Sequence, residues 1–196
     1  MLLLYALPIG VLAGLVGGGS VGRLADLKIR LAPLAVGGLL FQLLLFSPPI
    51  GTIVARDLPI GPGLYVGSTL IVLAALIANI SRPGFRFILV GAALNLFAIV
   101  ANGGVMPASP DAWASLHGLA GVPQDVLTNS TLASAATRLA ALGDVFAIPR
   151  PLPFANVFSI GDLLIAVGGA WFIARTMSTR PTAVVGPTPG AVAVGG

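Results

Sequence analysis

Leu142–Gly168, LGDVFAIPRPLPFANVFSIGDLLIAVG, joins a proline-rich segment to an apolar run, and the reading of the whole chain turns on it. It carries Asp144 and Asp162, two of the six acidic residues in the protein. Asp162 is the seventh residue of a run, Asn156 to Thr176, that is otherwise apolar enough to cross a bilayer. An ionisable group at such a position is costly, which makes it a functional-site candidate, with helix capping as the competing explanation.

The composition around this stretch agrees with a membrane setting. Of 196 residues 57% are hydrophobic and only 8% charged, against about a quarter charged in a soluble domain. Mean hydropathy is +1.03. Without cysteine there are no disulfides, thiolate metal sites or cysteine nucleophiles. The one histidine, His117, cannot make a multi-histidine metal centre, and Glu is absent. No metal or cofactor is expected. The ten basic residues are scattered, forming no patch or stripe for nucleic acid, so their use is topological.

Working outward, apolar runs at about 1–17, 33–46, 64–80, 87–101 and 156–176 predict five transmembrane helices. The first has no basic residue before it and no small-x-small cleavage site after it, so it reads as a span rather than a signal peptide. Val21 to Arg30 alternates apolar and basic residues, as a short piece at the headgroup level would. Residues 103–155 form a long loop with many prolines, expected to be an ordered cap with a surface helix over Gln124–Ala141. Residues 178–196 read as a disordered tail, leaving 1–177 as a single membrane domain. Arg23, Lys28, Arg30, Arg82, Arg86, Arg175 and Arg180 fall on one side, and Arg56, Arg138 and Arg150 on the other. The basic excess predicts a bacterial cytoplasmic membrane protein with the N-terminus outside and the C-terminus inside. The expected fold is thus an all-α bundle of five spans with an extracytoplasmic loop between the fourth and fifth.

In a helix starting at Asn156, that residue, Ser159 and Asp162 fall at i, i+3 and i+6 on one face. The topology puts Asp144 at the same depth. Two carboxyl groups in a poorly hydrated site share a proton, and such a pair can act as general acid and base on a water attacking a carbonyl. Asn102, in Asn102-Gly103-Gly104, Asn156 and Ser159 are the candidates for positioning a scissile group. The structural alternatives are plain. Asp144 could cap a turn, and Asp162 could accept hydrogen bonds from Asn95 or from loop amides. Asn102 could simply end a helix.

The pattern Asn102-Gly103-Gly104-Val105-Met106-Pro107, Leu142-Gly143-Asp144, Pro149-x-Pro151-x-Pro153 and Asn156-Val157-Phe158-Ser159-x-Gly161-Asp162 resembles a family of uncharacterised bacterial multi-span membrane proteins, known as a domain of unknown function. That resemblance implies membership and no activity. Locally, Phe158-Ser159-Ile160-Gly161-Asp162 through Gly168 is similar to the last-helix motif of signal peptidase II. Ser159 and Gly161 stand where that motif has asparagine and alanine. This likeness implies a catalytic role for Asp162, with Asp144 as its partner. Three expectations result. The first is an integral membrane protein of unassigned activity with a polar extracytoplasmic pocket near Asp144 and Asp162. The second is an aspartyl-type intramembrane hydrolase acting on a lipid-linked or peptide substrate. The third is a non-catalytic assembly, binding or transport component whose partners include membrane lipids.

Overall fold

A computed structural model describes residues 2–45, 47, 60–117 and 130–178. The tail beyond Ser178, most of the loop around Arg56 and the Gln124–Asn129 part of the expected surface helix lie outside the described residues.

A helix occupies each of the five apolar runs: α1 (Leu3–Val16), α2 (Ala32–Leu45), α3 (Gly61–Ala78), α4 (Phe85–Ala101) and, after a short helix α5 (Pro110–His117), α6 (Ile160–Ser178). Of these, α3 and α6 are long and apolar enough to cross a membrane. The 14-residue α1 and α2 are about 21 Å long, short of a hydrocarbon core of about 30 Å. Their side chains behave alike, however. Most leucines and aromatics point outward along all five, and the buried positions are mainly small residues such as Ala6, Gly10, Gly14, Ser68, Ala75 and Gly91, with Leu45, Phe85, Ile99 and Met177 the large exceptions.

Small residues are what the packing requires. The α6 helix lies between α1 and α4. A Cβ on Gly91 would stand 2.4 Å from the Gly161 carbonyl oxygen, and one on Gly10 would stand 2.8 Å from that of Ala170. Gly14 and Gly19 receive Met177, which is wholly buried. Gly84 opens α4 at φ 81°, where its missing Cβ would sit 2.1 Å from the Gly168 carbonyl oxygen. That approach leaves no room for a side chain, and the conformation is strained for any residue but glycine. The α2–α3 pair uses a polar tie instead, with the Gln42 amide donating to Ser68 Oγ at 3.1 Å and Thr69 Oγ1 at 3.0 Å.

Two asparagines end helices in the same way. Asn79, the C-cap of α3, donates to the Ala75 and Arg30 carbonyls at 2.8 and 2.7 Å and accepts the Arg30 N–H at 2.9 Å. Asn102, the C-cap of α4, donates to the Ala98 and Arg138 carbonyls at 2.7 and 2.8 Å and accepts the Arg138 N–H at 3.0 Å. Each clasped arginine precedes a leucine with positive φ, Leu31 at 58° and Leu139 at 51°. The local sequences match as well, Ala-x-x-Ala-Asn for the helix ends and Arg-Leu-Ala for the clasped segments.

The expected all-α architecture is corrected between α4 and α6. There β1 (Met106–Ala108) pairs in parallel with β2 (Ser130–Leu132), and β3 (Phe146–Ile148) pairs antiparallel with β4 (Asn156–Phe158). Prolines 149, 151 and 153 exclude a continuous helix here. The expected surface helix is corrected too: residues 130–141 hold β2 and the start of a 3-10 turn, Ala140–Leu142. The fifth long helix begins at Ile160 rather than Asn156. Val157 is claimed by a small core with Ala112 and Leu116, which holds the preceding residues in a strand. That core, and a second formed by Ala98, Ile99 and Met106 under Tyr65 and Leu142, seat the β cap on one end of the helices.

Candidate functional site

Because α6 starts at Ile160, Ser159 is its N-cap and Asp162 its third helical residue. The two form a reciprocal capping box. Ser159 Oγ accepts the Asp162 N–H at 3.0 Å, and Asp162 Oδ2 accepts the Ser159 N–H at 3.0 Å. Asn95 on α4 closes the cluster. Its amide donates to Asp162 Oδ1 at 2.8 Å and accepts the Ser159 hydroxyl at 2.8 Å. Gly161 lets Asn95 approach, since a Cβ there would lie 2.0 Å from Asn95 Oδ1. Ser-Ile-Gly-Asp is therefore a cap, a spacer, a gap for Asn95 and an anchored carboxylate.

Asp144 arrives from the cap. Its N–H donates to the Pro107 carbonyl at 2.8 Å, and its own carbonyl accepts the Ser109 N–H at 2.9 Å, pairing it with Ala108 along β1. Gly143 permits that approach, for a Cβ there would meet the Pro107 carbonyl oxygen at 2.3 Å. Asp144 is thus an edge-strand residue rather than a helix cap, and its carboxyl group has no hydrogen-bond partner among the described residues.

The two aspartates line one cavity of about 230 Å³. Asn95, Asn156, Tyr65 and Ser130 supply further polar groups, and Ile99, Met106 and Val157 supply apolar ones. No Lys, Arg or His is among the described residues of the lining. Burial, then the nearby Asp162 carboxylate, push the Asp144 carboxyl up to about 7. It is a group that gains or loses a proton near neutrality. Among the described residues no cluster of three or more His, Asp or Glu could hold a metal ion.

The sequence-predicted residues divide clearly. Asp144, Asp162 and Asn156 meet at the cavity, with Asn156 reaching it from β4 rather than from a helical face. The expected i, i+3, i+6 face is corrected accordingly. Ser159 is fully buried behind the cavity as the cap. Asn102 does not line it and is occupied with Arg138. Tyr65 and Ser130 were not legible, one inside an apolar run and the other in a loop of small residues. The Ser159-x-x-Asp162 spacing, in contrast, was a readable capping signal.

Residues 26–174 match the model of a family of unknown function, DUF5317, and the chain belongs to that family. No curated protein and no solved structure matches the chain significantly. The local likeness to signal peptidase II is therefore not supported, and the capping box accounts for the residues that suggested it.

Proposed function

We propose that the protein is a multi-span membrane protein whose cavity binds a small polar group through one proton held between Asp144 and Asp162. The observation that carries this reading is the pair of carboxyl groups facing one cavity with no Lys, Arg or His among the described residues of its lining. One is anchored by two hydrogen bonds and the other is raised to about 7. Such a pair offers a donor and an acceptor to one cavity, whose lining also includes Asn156. The volume suits a single amide, ester or hydroxyl group rather than a whole drug-sized ligand, which takes about 300 Å³ or more.

Exposed apolar surface supports the membrane setting. The apolar windows of α3 and α6 are only 17% and 28% buried, whereas core helices of a soluble protein are mostly buried. Leu12, Leu43 and Phe97 on three other helices are each about 60% exposed or more. In this reading all five long helices cross, the shorter ones by local thinning of the bilayer and with help from flanking residues. Arg23, Lys28, Arg30, Arg82, Arg86 and Arg175 then mark the cytoplasmic end, and the cap and cavity are extracytoplasmic.

The pair's asymmetry favours a second reading, hydrolysis of a lipid-linked or peptide carbonyl, with Asp144 as the group that exchanges protons and Asp162 as its fixed partner. Infrared spectroscopy of the reconstituted protein tests the shared proton. A protonated-carboxyl band should titrate near pH 7 and vanish in Asp144→Asn; its absence from the wild type at pH 6 would end both readings. A reporter fused after Met177 should read cytoplasmic.

A further inference from the structure

At the end of the bundle opposite the cap, a second cavity of about 470 Å³ lies between the α3–α4 turn and the last turns of α6. Three guanidinium-bearing residues line it: Arg82 from the turn, Arg86 from the first turn of α4 and Arg175 from the end of α6. No acidic residue is among the described residues of the lining. Arg82 is already fixed by the protein, donating to Asn79 Oδ1 at 3.3 Å and to the Lys28 carbonyl. Arg86 and Arg175 are exposed, and neither has a hydrogen bond among the described residues.

Arg175 has an ordinary explanation, since a cation at a helix C-terminus offsets the dipole. Arg86 has the opposite placement. It puts a cation on the positive end of α4, where the Gly84 N-cap supplies no side-chain acceptor. An anion seated among the three arginines would relieve that conflict; the guanidinium groups would hold it, since the Phe85, Phe87 and Ile88 N–H groups already donate to the Arg82 and Gly84 carbonyls.

The wall below the arginines is aromatic. Phe87 and Trp171 have ring centroids 5.5 Å apart and are 39% and 46% exposed. One helical turn deeper, exposed Val90 and Val167 continue the same two faces. The site is therefore cationic at its mouth and apolar down its length, and a free phosphate would use only the first half.

The geometry points to a binding site for an anionic phospholipid, its phosphate among Arg82, Arg86 and Arg175 and an acyl chain along the Phe87–Trp171 seam. The inference rests on the membrane reading above and is independent of the carboxyl pair.

Tryptophan fluorescence of the full chain in phosphatidylcholine vesicles tests it, using the part of the signal lost in Trp171→Phe. Phosphatidylglycerol with brominated acyl chains should quench that component at roughly tenfold lower mole fraction than brominated phosphatidylcholine. In the Arg86→Gln/Arg175→Gln variant, whose two sites are solvent-exposed, the two curves should coincide. Equal quenching by both lipids in the wild type would overturn the lipid site while leaving the membrane reading intact. Quenching by neither would overturn both. Release of quenching by millimolar inorganic phosphate would assign the arginines to a soluble anion and overturn the lipid as occupant.

Discussion

Asn79 and Asn102 make the same three hydrogen bonds at the ends of neighbouring helices, yet they secure different things. Asn79 is 1% exposed, accepts an additional bond from Arg82, and joins α3 to the segment that leads into α2. Asn102 is partly exposed and joins α4 to the segment running through Leu142 to Asp144. One clasp holds helix to helix at the basic end, and the other holds the cap, with its titrating carboxyl, over the cavity. The same local solution serves the bundle in one place and the candidate site in the other.

Substitutions can separate the two roles. Asn79→Ala should be the most damaging, at about 3 kcal/mol, since it removes the buried bond to the Ala75 carbonyl and strands part-buried backbone groups of Arg30 along with the Arg82 guanidinium. Thermal unfolding in detergent measures this, and a loss no larger than that of Asn102→Ala would dissolve the distinction. Asn102→Ala should cost about 1–2 kcal/mol and, unlike Asn79→Ala, should shift the infrared titration of Asp144, because it loosens the strand that presents it. Ser159→Ala should cost about 1 kcal/mol. Combined with Asp162→Asn it should cost less than the sum of the two, as residues sharing one network do.

The remaining effect is one of pH. The Asp144 carboxyl is raised to about 7 in the folded protein, from an unfolded value of about 4. Below about pH 4 both states carry the proton, and between 4 and 7 only the folded state does. Stability should therefore fall as pH rises through that window and level off above it. Asp144→Asn should abolish the slope and be the more stable form at pH 8. A pH-independent wild type would show that the cavity admits enough water to solvate the charge.

The five apolar runs were legible because long hydrophobic stretches have few alternatives. Helix ends were less so: Asn156-Val157-Phe158 reads as continuous with the run after it, and three-residue strands carry no periodicity to betray them. Chain order made a shared site for Asp144 and Asp162 an expectation, which spacing alone does not establish, and both line one cavity. The spare capacity of the other polar residues was not legible. Asn102 and Asn156 look equivalent in sequence, but Arg138 claims one amide while the other faces the cavity. Such claims are made by residues far along the chain, and no local pattern records them.

The α6 helix reaches the ribosome's exit last among the long helices, yet it fills the glycine faces of both α1 and α4. Until it arrives those two grooves have no occupant, and Asn95 lacks the partners that complete the cavity's floor. Assembly is therefore gated by a helix made after both of the helices it joins. A chain interrupted before residue 160 would hold every described lining residue of the candidate site except Asp162, and the glycine faces of α1 and α4 would stay unfilled.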